Sequence, residues 1–163
     1  MTLQNGIEIV DVPPEDRAGL EGILHESFEG WYLRHARKTL HEVGTVRAAK
    51  SSGTPVGLIM VKTLGEQVGY VYYVAVAKSH RRTGVGHILL EDALRIFKEA
   101  KMEEVFASVE QDNIASERLF AAEGFTRTSF AEVSRNHGPF HALNMYRMMV
   151  VVPGEVLLRK KLA

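Results

Sequence analysis

The fold is decided by residues 68–100, whose sequence is VGYVYYVAVAKSHRRTGVGHILLEDALRIFKEA. The first nine residues are β-branched or aromatic apart from one glycine and one alanine, which is typical of a buried strand. A basic turn follows, and from Thr83 onwards the apolar residues recur at helical spacing. The pattern therefore predicts a strand that leads into an amphipathic helix through Gly84 and Gly86.

The two glycines stand where the predicted helix begins, which favours a site for an anion. The first backbone N–H groups of a helix have no partner within it and lie at the positive end of its dipole. Because glycine has no Cβ atom, a ligand can approach these groups closely. The basic turn at 78–82 adds positive side chains. A diphosphate fits this arrangement, although spacing alone leaves open a plain helix start with a solvated turn.

Two common phosphate-binding loops are excluded by the sequence. No G-x-x-x-x-G-K-[ST] occurs, so the chain has no P-loop. The dinucleotide pattern G-x-G-x-x-G fails because Leu89 stands where its third glycine would be. What remains is Arg81-x-x-Gly84-x-Gly86 after an apolar strand. This segment resembles the acetyl-CoA segment (Gln/Arg-x-x-Gly-x-Gly/Ala) of the GNAT superfamily of N-acetyltransferases.

A second segment, NIASERLFAAEGF at 113–125, strengthens the resemblance. By itself, Asn113 predicts a helix cap and Gly124 a helix end. Together they resemble the second GNAT segment, in which an asparagine is followed by a short helix and then Gly-Phe. The two segments occur in the family's order with one predicted strand between them. The resemblance extends over most of the chain, from the opening strand to about Met149.

The remaining pattern predicts an α/β fold (an α+β mixed sheet) with the order β-α-α-β-β-β-α-β-α-β-β, which is the order of the GNAT fold. Strands are predicted at 6–12, 45–50, 56–62, 68–77, 104–109, 126–133 and 141–152, and helices from residue 14 and at 31–42, 83–100 and 114–123. The resemblance implies that the central parallel strands splay apart. We expect a single acetyltransferase domain over 1–163, with a C-terminal extension at 150–163 whose basic residues 159–161 form a solubilising tail.

Composition limits the function classes further. Twenty basic and twenty acidic residues cancel, so neither nucleic acid nor a membrane surface is an expected partner. No cysteine is present, which removes disulfides, thiolate zinc sites and a cysteine nucleophile. We expect no metal. No apolar run approaches the roughly 20 residues of a membrane span, and the first residues lack a signal-peptide pattern, so a cytoplasmic protein is expected.

The resemblance implies an enzyme that moves acetyl from acetyl-CoA to a primary amine by direct attack in a ternary complex. The acceptor would be a small molecule or a peptide end, and a homodimer is a further expectation from the family. A backbone N–H near Val74 would polarise the acetyl carbonyl. The implied cofactor-binding residues are Val74, Ala75 and Val76 along the pantetheine arm, Arg81, Arg82, Thr83, Gly84, Val85, Gly86 and His87 around the diphosphate, and Asn113, Ser116 and Phe120 near the amide and sulfur.

The chain departs from the family pattern at two positions. Phe120 stands where a tyrosine acid is common, and Ser108 stands where protein N-terminal acetyltransferases often have a glutamate base. Tyr70 and Tyr72 are the candidate catalytic replacements, since either hydroxyl could relay or donate a proton; aromatic packing is their alternative role. The missing acid and base also keep open a second class, a non-catalytic acyl-CoA binding domain.

Other candidates lie on the expected acceptor side. Trp31 falls in a region that shapes acceptor pockets in this family, although packing is the commoner role. His137 and His141 lie near the predicted last hairpin, from which they could reach the acceptor, although solvent exposure is the commoner state of such residues.

Overall fold

The computed structural model describes residues 6–149, 151 and 153–162. Within them, seven strands form a mixed sheet with the order β1-β2-β3-β4-β5-β7-β6. The strands are β1 (Ile7–Asp11), β2 (Thr45–Ser51), β3 (Thr54–Thr63), β4 (Val68–Val76), β5 (Glu104–Glu110), β6 (Thr126–Thr128) and β7 (Glu155–Lys161). The helices are α1 (Glu21–Ser27), α2 (Gly30–Glu42), α3 (Val85–Glu99), α4 (Ile114–Ala122), α5 (Phe130–His137) and α6 (Pro139–Met149), with 3-10 segments at Pro14–Leu20 and Lys78–His80. The predicted mixed α/β sheet is confirmed.

The chain forms two compact units. The first comprises the described residues up to Lys62 together with Tyr73–Ile96, and the second comprises Thr63–Tyr72 together with the described residues from Phe97 onwards. Strand β4 therefore contributes its first residues to the second unit and its last residues to the first. None of the helices in the described part of the chain is both long and apolar enough to span a membrane.

In the first unit, an antiparallel sheet supports the helix that follows the basic turn. Strands β2 and β3 pair through a two-residue turn in which Ser52 and Gly53 both have positive φ. Gly57 of β3 lies directly under α3: a Cβ atom there would come within 2.9 Å of Val85 Cγ1 and 3.0 Å of Leu89 Cδ1. Glycine is thus required for the close approach that fixes the first turn of α3 on the sheet.

The second unit combines a parallel and an antiparallel ladder. Residues 68–71 of β4 pair in parallel with 104–107 of β5, and β5 pairs antiparallel with β7 along its whole length. The core beneath this sheet contains Tyr70 and Phe106, both almost fully buried, and three buried residues of α6. Those three, Ala142, Met145 and Met149, recur at helical spacing.

The predicted last pair of strands is wrong. Strand β6 ends at Thr128, and the chain then forms α5 and α6 where an antiparallel hairpin was expected. Ser129 caps α5 by accepting a hydrogen bond of 3.3 Å from the amide of Glu132, and Pro139 occupies the first turn of α6. The expected strand at 141–152 includes Val150 and Val152, which lie outside the described residues.

The basic C-terminal segment is part of the sheet, so the prediction of a solubilising tail is wrong. Strand β7 lies between β5 and β6. Arg159 donates from Nε to the buried carboxylate of Glu104, and Lys160 donates from Nζ to the carbonyl oxygen of Glu123 at 2.5 Å. These cations therefore stabilise the second unit from within.

Candidate active site

The turn between β4 and α3 has a backbone suited to an anion. After the 3-10 segment Lys78–His80, Arg82 has φ of 63° and Gly84 has φ of 90°, and α3 begins at Val85. Alternation of right- and left-handed residues directs successive amides towards one point, which produces an anion-binding concavity. A non-glycine residue with positive φ is uncommon and strained. The positive φ of Arg82 therefore has a cost in backbone energy that the surrounding turn must offset.

Space is available around these amides. A Cβ atom added to Gly84 would meet no heavy atom within 4 Å, so the protein itself does not fill the position in front of the helix start. The hydroxyl of Thr83 donates back to the carbonyl oxygen of His80 and closes the turn. The diphosphate site expected here from the sequence stays a prediction.

The side chain of Arg81 has a different task from the one expected. Its guanidinium donates to protein carbonyls, from Nε to Val76 at 3.2 Å and from Nη2 to Glu26 at 2.8 Å. The backbone N–H of Lys78 also donates to the carboxylate of Glu26, at 2.6 Å. Arg81 and Glu26 thus attach the turn to the end of β4 and to α1. The sequence predicts that Arg81 places positive charge beside the ligand, whereas its guanidinium donates hydrogen bonds to backbone carbonyl oxygens of the protein.

The parallel ladder between β4 and β5 is short. It joins Val68–Val71 to Glu104–Ala107 and ends there, although β4 continues to Val76 and β5 to Glu110. Residues Val74 and Val76, expected along the pantetheine arm, lie in the continuation of β4 and are half-buried, whereas Ala75 is buried.

Tyr70 and Tyr72 both bind the end of α6 through their hydroxyls. Tyr70 Oη donates to the carbonyl oxygen of Met149 at 3.2 Å, and Tyr72 Oη donates to that of Met148 at 2.8 Å. The Tyr70 and Ser108 hydroxyl oxygens also share a hydrogen bond of 2.6 Å, in which either can be the donor. Burial raises the pKa of Tyr72, so this residue keeps its proton at neutral pH.

A second polar pair, which the sequence analysis did not find, lies in the first unit. His35 Nδ1 and Tyr73 Oη are 2.6 Å apart. The indole of Trp31 stacks on the imidazole with ring centroids 5.0 Å apart, and Phe28 packs edge-on against the phenol at 5.1 Å. Burial lowers the pKa of His35, and the charge of Lys38 lowers it further. No local sequence pattern could have found this pair, because His35 and Tyr73 are 38 residues apart in the chain.

Helix α4 carries the remaining expected cofactor residues. Asn113 caps it, since its Oδ1 accepts a hydrogen bond of 3.1 Å from the amide of Ser116. Phe120 is buried and packs edge-on against Phe125, with ring centroids 5.1 Å apart. The capping role predicted for Asn113 is confirmed, and Phe120 has a packing role in the second unit.

His137 has a structural partner. Its Nε2 lies against Oε1 of Glu104, at the beginning of β5, and Arg159 binds the other oxygen of the same buried carboxylate. His137 therefore lies in α5 rather than in the expected hairpin loop, and its possible reach to the acceptor stays a prediction. No group of acidic and histidine side chains that could hold a metal ion occurs within the described ranges.

Comparison with known proteins gives the family. A model of the Acetyltransferase (GNAT) family matches residues 12–125. Among solved structures, Ard1 from Thermoplasma volcanium is similar with a TM-score of 0.70 and 18% identity, covering 97% of this chain and 99% of that one. The ribosomal-protein-S18-alanine N-acetyltransferase from Escherichia coli has a TM-score of 0.72 and 14% identity, covering 96% of this chain and 94% of that one.

A third similar structure is the PaiA N-acetyltransferase from Thermoplasma acidophilum, solved in complex with coenzyme A. Its TM-score is 0.70 and its identity 15%, and the alignment covers 95% of this chain and 98% of that one. No curated protein matches. At these identities the solved structures share the fold, whereas the family model covers more than half of the sequence. The chain therefore belongs to the GNAT family of acetyltransferases.

Proposed function

We propose that the chain is an acetyl-CoA-dependent N-acetyltransferase that acts on a primary amine by direct attack in a ternary complex. The observation that carries this proposal is the turn at Arg82 and Gly84, where two positive φ angles and an open helix start follow strand β4. Membership of the GNAT family supports the diphosphate of coenzyme A as the anion that this turn would bind. Bound acetyl-CoA would supply the acetyl group as a thioester.

The first unit would bind the acetyl donor, acetyl-CoA, mainly through its backbone. The amides of residues 82–87 would bind the diphosphate, and the backbone of residues 74–76 would bind the pantetheine arm. The N–H of Val74 would stabilise the charge that develops on the acetyl oxygen. Arg81 would support this site by fixing the turn, because its guanidinium already binds the carbonyls of Val76 and Glu26.

In the second unit, the residues proposed to bind acetyl-CoA are on α4. Asn113, exposed at the helix start, would bind the pantetheine amide, and Ser116 and Phe120 would lie near the sulfur. Tyr72 stays the candidate acid for the departing thiolate, because its hydroxyl carries a proton that it could donate. Its present hydrogen bond to Met148 would have to break first. Tyr70 is the other candidate, although it is buried.

The acceptor would be a small molecule or a peptide end. Ser108 replaces the glutamate base common in protein N-terminal acetyltransferases, and its hydroxyl binds Tyr70. This disfavours a ribosomal-protein acceptor. We also propose a cytoplasmic location.

A non-catalytic acyl-CoA binding domain is the second candidate. Two observations favour it: Phe120 has no proton to donate, and the hydroxyls of Tyr70 and Tyr72 bind the end of α6.

The two functions differ in turnover. We expect release of the CoA thiol when acetyl-CoA is mixed with a panel of polyamines, amino acids, aminoglycosides and peptides. Stabilisation of the protein by CoA without thiol release for any amine would favour the binding domain.

A further inference from the structure

Two aromatic side chains of the first unit pack against the partners of one polar contact. His35 of α2 and Tyr73 of β4 share a hydrogen bond of 2.6 Å, with Trp31 stacked on the imidazole and Phe28 against the phenol. Trp31 is 42% exposed, and both members of the pair are half-buried. The pair is therefore held in a defined geometry and is still within reach of solvent.

The environment of His35 favours its neutral form. Burial lowers its pKa, Lys38 acts in the same direction, and Glu42 opposes them more weakly. A neutral imidazole has one nitrogen that accepts a proton. If Tyr73 donates its O–H to Nδ1, the proton of His35 lies on Nε2. A phenol oxygen that donates one hydrogen bond can accept others, so Tyr73 can receive an N–H from a ligand.

The pair lies beside the reacting centre that the proposed function requires. Tyr73 immediately precedes Val74, whose N–H is the proposed donor to the acetyl oxygen. An amine that attacks the carbonyl carbon must approach within about 3 Å of it. A side chain one residue away on the same strand can reach such an amine.

Resting on the proposed function, we infer that Tyr73 and His35 form the proton relay that activates the acceptor amine. The acceptor arrives as an ammonium ion. Tyr73 Oη takes one proton from its nitrogen while the O–H proton of Tyr73 passes to Nδ1 of His35, which becomes imidazolium. The neutral amine then forms the C–N bond as the C–S bond breaks. The thiolate leaves as CoA thiol with a proton from the candidate acid Tyr72, which the second proton of the nitrogen replaces, and His35 returns its proton to solvent.

In this scheme Tyr73 is the residue that touches the substrate, and His35 acts through it. The test compares Tyr73→Phe and His35→Gln with two matched controls, Tyr146→Phe and His41→Gln. Tyr146 is a half-buried tyrosine packed against Phe130, and His41 lies on the same helix as His35 near Glu21. For each protein, kcat and kcat/KM are measured from thiol release between pH 6 and pH 9, and the Kd for acetyl-CoA by calorimetry.

We expect both relay variants to lose about a hundredfold in kcat at pH 7, within the range for one acid–base group, with the Kd for acetyl-CoA unchanged. His35→Gln should also lose the acidic limb of the pH profile, which reports protonation of His35. The controls should behave as wild type. Wild-type rates and an unchanged pH profile in both relay variants would overturn the inference.

A second measurement does not depend on activity. Long-range proton–nitrogen NMR of the wild type should show His35 neutral at pH 7 with its proton on Nε2, and Tyr73→Phe should alter the Nδ1 resonance. An imidazolium at pH 7, or a proton on Nδ1, would overturn the relay even if the variants proved unstable. A wild type that binds acetyl-CoA but releases no thiol would instead refute the proposed function and the relay with it.

Discussion

Tyr72 Oη donates a hydrogen bond of 2.8 Å to the carbonyl oxygen of Met148, in the last turn of α6. The last carbonyls of a helix have no partner within it, so a side-chain donor at this position acts as a cap. Tyr70 does the same for Met149 at 3.2 Å. Two tyrosines of one strand thus bind the end of one helix. Loss of a hydroxyl should therefore lower stability, and any proton transfer by that hydroxyl should appear separately as a change in turnover.

Tyr72→Phe removes the hydroxyl and leaves the ring. We expect the free energy of unfolding to fall by about 1 kcal/mol, the usual contribution of one hydrogen bond. If Tyr72 also protonates the thiolate, kcat should fall much more than the affinity for acetyl-CoA. Urea unfolding and a pH series of kcat measure both effects. Equal rates for variant and wild type at every pH would leave Tyr72 with the capping role alone.

Gly84→Glu should abolish binding of acetyl-CoA measured by calorimetry, because a carboxylate would stand at the proposed diphosphate site. The side chain has room, but φ of 90° adds a backbone cost of about 1–2 kcal/mol. Gly138→Glu is the matched control: its φ is 86°, a Cβ atom there also meets nothing within 4 Å, and it joins α5 to α6. Normal affinity in Gly84→Glu would contradict the diphosphate site.

Gly57→Ala should destabilise the first unit by about 1–3 kcal/mol, the range for overpacking. Its Cβ would clash with Val85 and Leu89 and come within 3.2 Å of the Ala75 carbonyl oxygen. Because these contacts fix the start of α3, affinity for acetyl-CoA should fall as well. Gly44→Ala, where no atom lies within 4 Å, is the control. Equal melting temperatures for both variants would show that α3 does not depend on this contact.

The strand, turn and helix at 68–100 could be predicted because their signals are local: apolar content, a change of period and a glycine at the helix start. The engagement of Arg81 could not, since its partner Glu26 is 55 residues away. The same holds for His35 and Tyr73, which tertiary packing alone brings together. Helices α5 and α6 are a different case, because Ser129, Glu132 and Pro139 are local signals for the start of a helix. The β-branched and apolar residues nearby favour a strand when they are considered without those signals.

The last prediction concerns Asp92, a buried carboxylate of α3. Burial opposes its ionisation, but hydrogen bonds from Arg47 and Arg95 outweigh burial and lower its pKa. A carboxyl whose pKa is lower in the folded state stabilises the protein above the unfolded value of about 3.9, and this contribution is lost as the pH falls through the folded pKa.

Asp92→Asn should therefore lower the free energy of unfolding at pH 7 by about 1–3 kcal/mol, since hydrogen bonds to a charged group are lost. The difference from wild type should shrink as the pH is lowered below the unfolded value, because the unfolded chain then binds a proton at Asp92 before the folded protein does. Urea unfolding at several pH values measures it. Glu91→Gln, which neutralises an exposed neighbour on the same helix, should have little effect at any pH. A difference for Asp92→Asn that stayed constant down to the lowest pH would mean that its shape, rather than its charge, stabilises α3.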